Sequence, residues 1–213
     1  MLRLGELVDR AVIDMDAAEK LGMIDEIVLD PGQCIVAGLV VVRGKTILGG
    51  GTYRVIPAAS VHSIGADAVT VSGSPQPESD DEMPGLPRRR DVVGRKVVGQ
   101  SGNLFGHIED VLIDPADGRI IGYELGEPSA LGGLESLFSA PRDPHRRYVR
   151  ADADLRVGSD LVVAPDEAVV VDETETGAGE ITGLASRPEG GWGKGQTSAR
   201  DRSVWTPPGP SRA

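Results

Sequence analysis

The chain has 213 residues, 33 acids against 22 bases, one cysteine and seven aromatic side chains (two Trp, three Tyr, two Phe). A single thiol, Cys34, cannot close an intramolecular disulfide, so a stapled secreted scaffold is excluded. The longest apolar run, Cys34–Val42, falls far short of the ~20 residues of a spanning helix, and the opening Met-Leu-Arg-Leu-Gly-Glu lacks the pattern of a secretory leader. The expectation is a cytoplasmic, soluble chain with no membrane insertion.

Acids and bases nearly balance over residues 1–72 (9 against 6) and 88–166 (13 against 11), whereas 73–87 hold 4 acids and no base. A phosphate-binding face needs uncompensated Lys and Arg. Stacking on single strands needs aromatic platforms, and both tryptophans, Trp192 and Trp205, lie near the C-terminus. Direct nucleic-acid binding is not expected.

In chain order, Val12-Ile13 is a short β-branched run, and 23–29 reads as a strand with aliphatics on both faces. Asp30-Pro31-Gly32-Gln33 is a reverse turn, because proline presets φ at its second position. Ile35–Val42 closes a hairpin, and 69–71 supplies a further strand. The second half repeats the order: Val97-Val98, 107–113, the turn Asp114–Gly118, Ile120–Leu125 and 161–163. Leu21–Pro31 aligns with Phe105–Pro115, Gly38 with Gly122 at the same offset, and Ile64–Asp67 with Val157–Asp160. This is a duplicated unit of some 70–80 residues rather than a solenoid of short repeats. The predicted fold class is all-β, with two small barrels in tandem.

The string Gly94-Arg95-Lys96-Val97-Val98, then Gly102 to Gly106, Ile108–Asp114 and Gly118–Gly122, resembles the PRC-barrel domain. That family is named for the cytoplasmic domain of the photosynthetic reaction-centre H subunit and includes the C-terminal domain of the ribosome maturation factor RimM. The first unit is similar, with Asp9 where the second has Gly94 and Asp14–Lys20 where the second has a glycine-containing turn. The resemblance implies fold more than activity. It raises two alternatives to a plain adaptor: an accessory role in ribosome maturation, or a peripheral place beside a photosynthetic or other membrane electron-transfer complex.

The predicted organisation is a barrel over 1–72, a Pro-rich and acidic linker over 73–90, a second barrel over 91–171 and a disordered tail over 172–213. The stretch Gly126–Arg147 is an insertion relative to the first unit. It reads either as a flap over its own barrel or as a partner-binding surface, with Leu134 and Phe138 as apolar anchors and Arg142, Arg146, Arg147 and Arg150 suited to carboxylates.

Chemistry is harder to place. Arg43-Gly44-Lys45-Thr46 lacks the glycine that a phosphate loop needs at position 39, and a glycine-rich stretch follows where a helix should start. His62, read as a loop residue, His107, read as strand surface, and His145 are far apart, so no metal ligation is expected. Cys34 reads as a structural thiol. The repeated acid pairs Asp25/Glu26 and Glu109/Asp110 read as solvated or turn-capping groups, since adjacent strand residues point to opposite faces. The sequence therefore predicts a non-enzymatic adaptor that binds a protein partner through a barrel edge or the 126–150 loop, with no cofactor and no catalytic set.

Overall fold

β-Branched runs punctuated by Asp-Pro and Gly turns become meandering strands. The computed structural model describes residues 1–44, 50–73, 83, 85–126, 146–158 and 160–172. The first half comprises β1 (Leu2–Arg3), a 3₁₀ turn (Leu4–Leu7), β2 (Ala11–Asp14), β3 (Glu19–Asp30), β4 (Ile35–Arg43), β5 (Thr52–Pro57), a 3₁₀ turn (Ala58–Ser60), β6 (Val61–Ile64) and β7 (Ala68–Val71). The second half comprises a short α1 (Arg89–Val92), β8 (Lys96–Gly99), β9 (Leu104–Ile113), β10 (Ile120–Gly126), β11 (Arg146–Arg150), β12 (Arg156–Val157) and β13 (Leu161–Ala164). It ends in a 3₁₀ turn (Asp166–Ala168) and β14 (Val169–Asp172).

The first sheet runs β5-β4-β3-β2-β7-β6 and the second β12-β13-β8-β9-β10-β11-β14. Both contain the same parallel closure, β2 with β7 and β8 with β13. The fold is all-β in two copies, as the repeat predicts.

Equivalent backbone positions make equivalent bonds. The Asp9 N–H donates to Ile24 O at 2.8 Å and the Gly94 N–H to Ile108 O at 2.7 Å. Both residues have left-handed backbone, φ 65° at Asp9 and 87° at Gly94, a conformation that glycine takes freely and aspartate tolerates. Gly38 and Gly122 mark another shared constraint: a Cβ at Gly122 would sit 2.5 Å from Val149 O, and one at Gly38 3.1 Å from Ile56 O.

The halves interlock. β1 pairs with β9 of the other half, Leu2 opposite Ile113, while Leu29 N donates to Pro87 O at 2.9 Å and Arg88 bridges Val28. Each half thus lends its leading segment to the other half's long central strand. Between them Ile35 bridges Arg119, with Val36 N to Gly118 O at 2.9 Å and Ile120 N to Cys34 O at 2.8 Å. The arrangement is an approximate two-fold within one chain. One continuous apolar core follows, joining Leu4, Leu7, Ile24 and Leu39 to Ile108, Val111, Tyr123 and Val149. Burial removes this area from water, and sharing it enlarges what two very small barrels bury separately.

Of the stretch read as a linker over 73–90, residues 74–82 and 84 lie outside the described residues, and described residues near its end pack on the first unit. Met83 and Leu86 pack on Val28, Val40 and Val55, Pro87 is buried, and α1 begins at Arg89 with its Arg88 N–H held by Asp91 Oδ2 at 2.8 Å. His62 lies in β6 rather than a loop. The predicted tail beyond Asp172, with Trp192 and Trp205, lies outside the described residues.

Candidate interaction site

The acid pairs differ from their sequence reading. Pairing slips between Ile24 and Glu26 in β3, and between Ile108 and Asp110 in β9, so each pair sits in a β-bulge. A bulge re-aims side chains, and the second acid of each pair is buried, Glu26 at 6% and Asp110 at 7% exposure. Both accept the next residue's N–H, Ile27 N at 2.9 Å and Val111 N at 2.8 Å. Asp110 also accepts from Gly5 N at 3.0 Å and Arg89 Nε at 2.8 Å, tying the first unit's 3₁₀ turn to α1.

Opposite Asp110 in register stands Glu124, also buried. Its Oε1 accepts from Arg3 at 2.5 Å and lies 3.3 Å from Arg146 Nε. Its Oε2 is buried and accepts no hydrogen bond among the described residues. The outer face of the second sheet is therefore ionic: two carboxylates held by three arginines. The corresponding place in the first unit holds Val40, which packs with Val28 and Val55 under Met83 and Leu86.

Of the residues predicted to bind a partner, Leu134, Phe138 and Arg142 lie outside the described residues, so the flap and surface readings of the insertion fall there too. Arg146 and Arg147, placed by sequence in the insertion, belong to β11 with Arg150. Arg146 is turned onto Glu124 with a side chain 15% exposed. Arg150 is exposed and forks onto Asp152, with Nε to Oδ1 at 2.9 Å. Arg146 is thus committed to the fold, whereas Arg150 is turned toward solvent.

Sequence reasoning pointed to a barrel edge without saying which strand carries it. In register, Ile56, Val55 and Arg54 of β5 correspond to Val149, Tyr148 and Arg147 of β11. The outer edge of β11 is covered: β14 pairs along it antiparallel, Val169 opposite Val149 and Val171 opposite Arg147. Ala168 is buried and, with Val169, joins the core. The turn before β14 is anchored by Asp166, which accepts from Ser101 Oγ at 2.7 Å. Among the described residues no strand pairs with the outer edge of β5. Thr52, Tyr53 and Arg54 are exposed there. Beside them opens a hollow of about 140 Å³ with Leu21, Val41 and Ile56 in its walls and Arg43, Thr52 and Arg54 around them. A length difference in the repeat carried the only sequence signal: 69–71 ends the first unit, whereas 161–163 is followed by Ala168-Val169-Val170-Val171.

At the internal two-fold Cys34 is half-buried with φ 54°, and its Sγ donates to Ala151 O at 3.3 Å. Burial first, then Asp152 and Asp30, push the thiol above its ordinary 9.0. Burial likewise pushes the Tyr123 phenol well above 10. A thiol held protonated is a poor nucleophile. Among the described residues no group of three His, Cys, Asp or Glu is placed to hold a metal ion.

A duplicated all-β unit with a β-meander, a parallel closing strand and a lead-in segment exchanged with its neighbour defines the class as tandem small barrels. The PRC-barrel domain model matches residues 1–75 and again 87–176, and the chain belongs to that family as a tandem member. No curated protein matches the sequence. Among the described residues no helix is long and apolar enough to cross a membrane.

Proposed function

We propose that this protein is a non-enzymatic adaptor that holds a protein partner on a PRC-barrel scaffold and works in the cytoplasm. The observation that carries the reading is the edge of β5, which no strand among the described residues pairs, beside an apolar hollow, since an exposed strand edge is a template for a partner's backbone. Its acids support it from the other side: the buried Asp110 and Glu124 and the exposed Asp166 are engaged by Gly5, Arg89, Arg3, Arg146 and Ser101. A general acid or base has to face a substrate. The near balance of charge in both units favours protein over nucleic acid.

Photo-crosslinking from the full chain in its native extract tests this. A specific partner, competed away by excess unlabelled protein and recovered in near-stoichiometric amount, is the expected result. Recovery of nothing above a no-crosslinker control contradicts the proposal.

A further inference from the structure

We infer that the outer edge of β5 takes up an extended segment of a partner protein, with β-branched residues at its centre and acids on both sides, added antiparallel as a missing strand. The inference rests on the adaptor reading and names its site and ligand chemistry.

The protein carries its own template. In the second unit the same edge, on β11, is filled by β14. That segment reads Asp166-Glu167-Ala168-Val169-Val170-Val171-Asp172-Glu173, a β-branched centre between acids. Val169 stands opposite Val149 and packs, with Ala168, into the core. Ile56 occupies the position of Val149 in the first unit, and there a hollow with Leu21 and Val41 stands open. An incoming residue opposite Ile56 meets those side chains as Val169 meets theirs.

The first unit's own chain does not offer such a strand. Aligning the end of β7 with the end of β13 puts Pro75-Gln76-Pro77-Glu78 where Ala168–Val171 stand. Those residues provide no aliphatic anchor, and two of them have no N–H to give to a ladder. A second copy fits poorly: antiparallel pairing of β5 with itself centred on Arg54 brings two Arg54 side chains face to face, and like charges facing across strands destabilise. Arg43 and Arg54 beside the hollow instead complement acids flanking the incoming strand. Backbone pairing supplies affinity, while the hollow and the arginines supply selectivity.

A labelled peptide of sequence DEAVVVDETE, copied from residues 166–175, is titrated into the full chain by fluorescence anisotropy, with hydrogen exchange followed over 52–57. Saturable binding, added protection confined to Thr52–Pro57, and affinity lowered about ten-fold or more by Arg43→Glu with Arg54→Glu are expected. A peptide in which lysine replaces the Val169 equivalent should not bind. No binding up to about 1 mM, a Kd beyond the weakest useful range, overturns the proposal. So does binding that the arginine reversals leave unchanged. Protection of 52–57 without peptide also overturns it, whether it grows with protein concentration, which marks a second copy, or disappears on truncation after Asp172, which marks the chain's own tail. A crosslinked partner that still binds the double arginine variant leaves the adaptor reading standing and removes this site. Peptide uptake at β5 with no partner captured does the reverse.

Discussion

The outer faces of the two central hairpins occupy the same place in the two copies and are built from opposite chemistry. In the first, Val28, Val40 and Val55 lie beneath Met83 and Leu86, with a single buried acid, Glu26, opposite Val40. In the second, Asp110 and Glu124 lie between Arg89, Arg3 and Arg146. The apolar version draws on non-directional burial and tolerates approximate fit. The ionic version has a desolvation cost that only well-placed partners offset, so it fixes which segments lie where. Duplication left the backbone alone and let the two faces diverge, one sealed by the connecting segment and the other clamped to the N-terminus.

The largest expected effect comes from mixing the two chemistries. Val40→Glu puts a carboxylate under Met83 and Leu86 without an arginine, and should cost more than about 3 kcal/mol in urea unfolding. A cost below about 1 kcal/mol would mean that the apolar face is open to water. Next, Asp110→Ala should cost about 3 kcal/mol, because it strands Arg89 and two backbone N–H groups. The equivalent Glu26→Ala removes one hydrogen bond, from Ile27 N, and should cost about 1 kcal/mol. Equal losses at the two positions would erase the distinction between the faces.

A smaller effect separates the matched turns. Asp9→Gly should stabilise by about 0.5–1 kcal/mol and Gly94→Ala should destabilise by at least that, since both turns need positive φ. Same-signed changes would show that the turns are not equivalent.

The smallest effect concerns alkaline pH. The folded pKa values of Cys34 and Tyr123 are both raised by burial. For an acid raised on folding, stability is full below the unfolded pKa and falls as pH climbs toward the folded one. Thermal stability should therefore decline as pH passes 9 and then 10, and Tyr123→Phe should flatten the later part. An unchanged slope in that variant would show that the phenol ionises equally well folded and unfolded.

Much of this was legible in the sequence, because the fold is written in local features. Asp-Pro turns, β-branched runs and a repeated glycine at 38 and 122 place the turns of the central hairpins within a residue or two, though β3 and β9 begin three or four residues before the predicted strands. The exchange of Leu2 and Pro87 between halves was not, since two short extended segments carry no mark of which distant strand they will join. The burial of Glu26 and Asp110 escaped strict alternation, because a bulge shifts the period at that point. β5 was hidden for another reason: Thr52, Tyr53 and Arg54 are exposed, and only Val55 and Ile56 show the apolar signal. The substitution of Glu124 for Val40 between the units was visible, and it was the one hint that the second face had changed chemistry.

Two copies of one mini-fold form a single interlocked body. A site-specific protease sequence placed within residues 76–81, cut in the folded protein and followed by gel filtration and thermal unfolding, tests it directly. The cut halves should elute together at the size of the intact chain and unfold in one transition. Halves that separate in native buffer and unfold independently would contradict it.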